Sequence, residues 1–296
     1  MGVLDNLSTG EAKNLPAGEK VKFHHADIRD LDSVRKVTKG YDAVVHEAAV
    51  VSVTRSTEDP LTTNAVNAGG TLNLLVAAKD AGVKRLVYAS SSSVYGETEV
   101  LPKVETMEPR PASPYAVSKL AAEKYCDVFA RVYGLKTVSL RYFNVYGPRQ
   151  KPGPYSGVIP TFIKRVLAGD RPVIFGDGLQ TRDFTFVKDV VKANLLCLEK
   201  PINGGEVFNV GSGKRTSLNE LAQLICSLGG KEETKPGYEP ARPGDVKHSY
   251  ADISKISSAL GYRPEWSLES GLKEVFAWLK SIPHGSNPSS QAHATR

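Results

Sequence analysis

Apolar and polar positions in the first half of the chain switch between two periods. Short apolar runs, VKFHHADI at 21–28 and DAVVHEAAVV at 42–51, have the length and β-branched content of buried strands. GTLNLLVAAKDAG at 70–82 instead places Leu72, Leu75 and Val76 at helical spacing and closes on Gly82, a residue that ends helices in the left-handed conformation. RLVYASSSSVYG at 85–96 predicts a strand leaving into a polar loop. SPYAVSKLAAEKYCDVFARVYG at 113–134 predicts a helix with Ser113 as N-cap, Pro114 in the first turn and Gly134 after the end. KTVSLRYFNVYGP at 136–148 predicts another strand ending in a loop. Strand and helix in steady alternation predict an α/β fold, a parallel sheet covered on both faces.

After Pro148 the pattern changes. PRQKPGPYSG at 148–157 reads as a long Pro- and Gly-rich loop, and short mixed elements follow. SLNELAQLICSLGG at 217–230 opens with Ser217 and Glu220 in capping-box spacing. SLESGLKEVFAWLK at 267–280 predicts a last amphipathic helix, and the polar tail 281–296 is expected to be disordered. The expected organisation is a parallel-sheet domain over 1–148, to which part of 180–212 returns, then a smaller mixed α/β domain over 149–280.

Composition excludes more than it adds. The 296 residues are 41% hydrophobic and 24% charged, a globular balance. Net charge is +6, but no run of five Lys or Arg occurs, which argues against nucleic acid as a partner. Cys126, Cys197 and Cys226 are far apart and odd in number, so they read as buried thiols of a reducing compartment. No apolar run approaches membrane length and no signal pattern opens the chain. A cytoplasmic protein is expected. His24, His25 and His46 have no second ligand at metal spacing, so no metal is assigned.

The most informative pair is Tyr115 and Lys119 in YAVSK. Four residues apart on a helix, they share a face. A free phenol titrates near 10, too high for a base at neutral pH, and an ammonium within about 4–6 Å would lower it by about 1–3 units. Upstream, SSSSVYG at 90–96 sets hydroxyls at the carboxyl end of a strand, the edge where open α/β sheets bind ligands.

DNLSTG, ADIRD, HEAA, SSSSVYG, YAVSK and RYFNVYGPR follow one another in order. Together they resemble the extended short-chain dehydrogenase/reductase family, in its nucleotide-sugar epimerase branch, over residues 1 to about 280. The resemblance implies a Rossmann-like doubly wound sheet that binds NAD, and a C-terminal domain that binds a nucleotide sugar. Tyr115 would be the acid/base, Lys119 its partner and a holder of the nicotinamide ribose, and Ser91 the hydroxyl that polarises the sugar's C4 oxygen, with Ser93 a second candidate. Asp5, with Asn6 beside it, would bind the adenosine ribose. Asp27 and Ile28 would sit beside the adenine, and Ala48 and Ala49 would let the cofactor approach. Asn67 and Tyr142 would make further cofactor contacts. On the substrate side stand Asn144, Arg149, Arg182, Arg242 and Asp245 toward the nucleotide diphosphate, and Val173–Phe175 as the backbone cradle of the base. Arginine forks suit phosphate oxygens.

By the same resemblance the reaction is inversion at C4 of a UDP-hexose of the UDP-glucose/UDP-galactose type, through a transient 4-keto sugar. Dehydratases of the family carry an acid two residues before the tyrosine of the VYG turn, where this chain has Ser93. A dehydratase, a reductase or a non-catalytic sugar sensor on the same fold remain alternatives. The resemblance also implies a homodimer through the 70–82 and Tyr115 helices.

The opening MGVLDNLSTG reads as the tail of a buried strand ending in an acid. The resemblance implies a strand, a glycine-rich turn and a helix before it, about 30 residues that bind the cofactor pyrophosphate. NAGGTLN, NVGSGKR and FGDGLQ do not take that place. The expectation is a start downstream of the true one, two unpaired sheet edges, and a 296-residue chain that binds NAD poorly or folds badly until the upstream segment is added.

Overall fold

The computed structural model describes residues 1–16, 18, 20–150, 157–241 and 246–281. In the first half, β1 (Gly2–Asp5), β2 (Lys22–His25), α1 (Leu31–Thr38), β3 (Ala43–His46), α2 (Val53–Glu58), α3 (Pro60–Asn64), α4 (Thr71–Asp80), β4 (Arg85–Ser91), α5 (Pro114–Tyr133) and β5 (Lys136–Tyr142) follow in turn. The second half holds β6 (Val145–Tyr146), α6 (Val158–Leu167), β7 (Val173–Phe175), β8 (Thr181–Arg182), β9 (Thr185–Phe186), α7 (Val187–Glu199) and β10 (Glu206–Val210). It closes with β11 (Thr216–Ser217), α8 (Leu218–Leu228), β12 (Gly237–Glu239), β13 (His248–Ser249), α9 (Ser254–Leu260) and α10 (Leu268–Ser281).

The central sheet runs β10-β5-β4-β3, every pair parallel. β1 and β2 pair with each other in a separate parallel sheet. Among the described residues, no strand joins β1 to β3. Tyr88 and Leu86 of β4 meet Leu74, Leu75 and Ala78 of α4 and Ala122 and Cys126 of α5 on one face. On the other, Val87, Val138 and Leu140 meet Val190, Ala193 and Cys197 of α7. Burial on both faces explains why these strands read as continuous apolar runs rather than alternating ones.

The local chemistry of the two best-marked helices matches their sequence signals. The Ser113 hydroxyl accepts from the Ala116 N–H, Pro114 stands at the first turn, and Gly134 ends α5 at φ 71°. Ser217 and Glu220 form the reciprocal capping box of α8. The helix predicted over 70–82 starts earlier than its pattern suggests. α3 runs through a π turn at 65–70 straight into α4. Gly70 lies against Ile28, where a Cβ would collide, so Gly70 marks close packing, not a helix start.

A second core gathers Phe162, Ile163 and Val166 of α6, Leu221 and Ile225 of α8, and Leu272 and Phe276 of α10 around Ile174 and Phe186. Between the cores the chain crosses back. β10 pairs with β5, and Ile256, Leu260 and Tyr262 of the α9 segment join the Val138 core. That second return, inside 149–280, has no local signal, because it depends on a partner surface far away in sequence. The tail beyond residue 281 lies outside the described residues. All three cysteines are buried free thiols.

Candidate active site

β4 ends on Ser91, at the carboxyl edge of the central sheet, and the chain turns there through a single 3₁₀ turn, Ser92–Tyr95. Ser91 caps that turn: its Oγ accepts from the Ser93 N–H at 3.2 Å and from the Ser93 hydroxyl at 2.9 Å. Gly96 follows at φ 62°, and a Cβ there would strike the Arg110 carbonyl, so the turn needs glycine. The phenol of Tyr115, on the first turn of α5, lies near enough to the Ser91 hydroxyl for that hydroxyl to favour its ionised form.

One helical turn on, Lys119 is buried. Its Nζ donates to the Ala89 carbonyl at 2.7 Å and lies 5.1 Å from the centre of the Tyr88 ring. Burial pulls this ammonium down to about 8, against the carboxylate of Glu47, which acts to keep it charged. The tyrosine departs from the sequence expectation. Burial raises the Tyr115 phenol, and the opposing influence is the Ser91 hydrogen bond, not the lysine. The physical reason is that the Lys119 ammonium is engaged by a backbone carbonyl while the phenol loses water.

Tyr115, Lys119, Ser91 and Ser93 line one cleft of about 1090 Å³ with Glu47, Tyr142, Asn144, Asn194 and Arg182. The Tyr142 hydroxyl donates to Glu47 at 2.8 Å and accepts from Asn194 at 2.7 Å. Arg182, on β8 of the second half, donates to the Thr181 and Lys247 carbonyls. The cleft therefore opens at the carboxyl edge of the sheet, between the two cores.

Residues 2–211 match the model of the NAD dependent epimerase/dehydratase family. The UDP-glucose 4-epimerase of Mycolicibacterium smegmatis is 40% identical over 283 residues, covering 94% of this chain and 90% of that one. A UDP-N-acetylglucosamine 4-epimerase from Methanobrevibacter ruminantium, solved with UDP-N-acetylmuramic acid, superposes with a TM-score of 0.90 at 41% identity, covering 95% of this chain and 90% of that one. The Thermotoga maritima UDP-glucose 4-epimerase, solved with UDP-glucose, gives a TM-score of 0.89 at 40% identity, covering 94% and 90%. The chain belongs to the NAD-dependent epimerase/dehydratase family.

A family member with this fold takes NAD, and the residues at the strand ends fit a dinucleotide. The Asp5 carboxylate closes β1 and accepts from the Leu7 N–H. Asn6 donates to Asp27, and Arg29 grips the same carboxylate at 2.8 and 3.0 Å, which holds it well below the usual range. Ala48 and Ala49 follow β3 with only methyl side chains. Asn67 pins the next residue, accepting from the Val50 N–H and donating to the Val50 carbonyl and to Ser118. Its amide is thus spent on protein groups. Ile28 is buried against Gly70, with its carbonyl taken by Asn73.

Three expected substrate residues lie apart from the cleft lining. Arg149, at φ 70°, donates to the Asn14 carbonyl. Val173 and Phe175 belong to β7, and Gln180 already donates to the Phe175 carbonyl. Arg242 and Asp245 lie outside the described residues. Conversely, Asn194 has no signal in the sequence, because a polar residue inside α7 looks like any solvated helix position. Glu47 is visible in HEAA, but only the fold shows that it meets Tyr142.

Proposed function

We propose that this protein is an NAD-dependent nucleotide-sugar 4-epimerase acting on a UDP-hexose. The observation that carries the reading is that Ser91, Tyr115 and Lys119 line a single cleft together with Arg182 of the second half. NAD, held by Lys119 and the residues at the ends of β1, β2 and β3, would supply the hydride acceptor and donor for C4.

The chain's own residues do the rest. Tyr115, in its phenolate form, accepts the proton of the 4-hydroxyl as the C–O bond becomes a carbonyl, and the phenol so formed gives it back in the return step. The Ser91 hydroxyl donates to the same oxygen and shares its charge. Lys119 places a positive charge behind the phenol and holds the cofactor ribose. Asp5, Asn6, Asp27, Ile28, Ala48, Ala49 and Asn67 form the adenosine side of the cofactor site. Asn144 and Arg182 hold the diphosphate, with Arg149, Arg242, Asp245 and Val173–Phe175 further along the nucleotide. Ser93, where a dehydratase would carry an acid, lends its hydroxyl to Ser91 instead. The protein acts as a homodimer through α4 and α5.

The test is a panel of nucleotide sugars incubated with the protein and NAD and read by proton NMR. Interconversion of a 4-epimer pair by the wild type, lost by a factor of about 10²–10⁴ in Tyr115→Phe, is the expected result. Dehydrated product, or equal turnover by the variant, would contradict it.

A further inference from the structure

We propose that Asp183 is a positioning residue for Arg182: its carboxylate fills the glycine-rich turn after β10 and so fixes the strand that carries Arg182 against the central sheet. The inference rests on the reading of Arg182 as a diphosphate ligand and deepens it.

The two neighbours face different surroundings. Side chains alternate along the extended stretch from β8 to β9. Arg182 lines the cleft, while Asp183 is completely buried. A buried carboxylate needs hydrogen bonds in place of water. Asp183 Oδ1 accepts from the Ser212 N–H at 2.7 Å and from the Ser212 hydroxyl at 2.6 Å. Its Oδ2 accepts from the Gly213 N–H at 3.0 Å and from the Ala251 N–H at 3.2 Å. The Thr185 hydroxyl adds a longer bond to Oδ1, at 3.4 Å. Burial pushes this carboxyl up, and the bonds from Ser212, Ala251 and Gly213 pull it back. Backbone N–H groups can only donate, so three of them on one carboxyl suit its ionised form.

Those donors account for NVGSGKR at 209–215, where β10 leaves the central sheet. Successive N–H groups of such a turn form a concave anion site. Here the anion comes from the chain itself. Gly211 lets it approach, because a Cβ there would lie 2.6 Å from Asp183 Oδ2 and 2.7 Å from the Ala251 Cβ. The Tyr262 hydroxyl donates to the Gly211 carbonyl at 3.0 Å and holds the turn further. One carboxylate therefore joins three segments: the β8–β9 stretch, the turn after β10 and the chain just after β13. β10 pairs with β5, and β5 with β4, which ends on Ser91. β13 pairs with β8, where Arg182 donates to the Lys247 carbonyl. The latch thus links the strands behind Ser91 to the strand of Arg182 and sets the separation across which a nucleotide sugar is held.

The test titrates uridine diphosphate alone into the full chain by calorimetry, with circular dichroism showing that each variant is folded. Asp183→Asn keeps the volume but gives up one acceptor oxygen, and should weaken binding about tenfold. Ser212→Ala leaves the three N–H bonds in place and should weaken it about threefold, which covers the case in which the first variant fails to fold. Each is then combined with Arg182→Gln. In that background neither should cost more affinity, because the effect passes through Arg182. A merely structural defect would weaken binding equally in both backgrounds and would overturn the proposal. Wild-type affinity in every folded latch variant would overturn it too, and would leave Arg182 as a diphosphate ligand if Arg182→Gln binds weakly. Wild-type affinity in Arg182→Gln would remove that reading, and the proposal with it.

Discussion

The guanidinium of Arg141 closes on the carboxylate of Glu123 at 2.6 and 3.0 Å, with both side chains buried. The Ser90 hydroxyl donates to the same carboxylate at 2.8 Å, and the guanidinium lies 4.7 Å from the centre of the Tyr95 ring. One ion pair therefore ties β5, α5 and the end of β4 together directly behind Ser91 and Lys119. Glu123 is four residues beyond Lys119, so Tyr115, Lys119 and Glu123 form one stripe on α5, with Lys119 and Glu123 buried.

Removing one partner leaves the other charge buried and unpaired. Glu123→Leu should destabilise the protein by about 3–5 kcal/mol, read by urea unfolding. Glu123→Leu combined with Arg141→Met should recover most of that loss, because neither charge then needs a partner. A double variant as unstable as the single one would show that the pair does more than neutralise itself.

The shared hydrogen bonds of Ser91 rank the serines. On the proposed reading Ser91 donates to the C4 oxygen, so Ser91→Ala should lower kcat by about 10²-fold. Ser93→Ala removes only a hydrogen bond to Ser91 and should cost about threefold to tenfold. Equal losses in the two variants would place Ser93, not Ser91, against the sugar.

His46 makes stability depend on pH. Its Nε2 is 2.8 Å from the Thr71 hydroxyl, which already donates to the Asn67 carbonyl, so the ring donates through Nε2–H and stays neutral. Burial, with Lys119 nearby, lowers it from the ordinary 6.5 to about 3. Between those values the unfolded chain binds a proton that the folded chain refuses. Stability therefore falls as pH drops below 6.5, by about 1.4 kcal/mol per unit from this group. Urea unfolding from pH 7.5 to 4.5 should show that slope in the wild type and a shallower one in His46→Gln.

The elements that stand on local chemistry were legible in the sequence. Ser113, Pro114 and Gly134 mark both ends of α5, and the apolar runs of β4 and β5 mark buried parallel strands. Spacing alone put Tyr115 and Lys119 on one face. The tyrosine's acidity was not legible, because it depends on where the Lys119 amine finds an acceptor, and that acceptor is the Ala89 carbonyl on another element. The π turn before α4 was hidden because glycine can mean either a break or a close contact. Asn194 and the return of α9 to the first core depend on residues more than fifty positions away, which no local pattern encodes.

The central claim is that hydride leaves and returns to the same carbon while Tyr115 moves one proton. The most direct measurement is conversion of UDP-galactose carrying deuterium at C4, followed by NMR in ordinary water. The account predicts UDP-glucose with the deuterium still at C4, because hydride never exchanges with solvent. Deuterium lost to water, or found at C6, would contradict it.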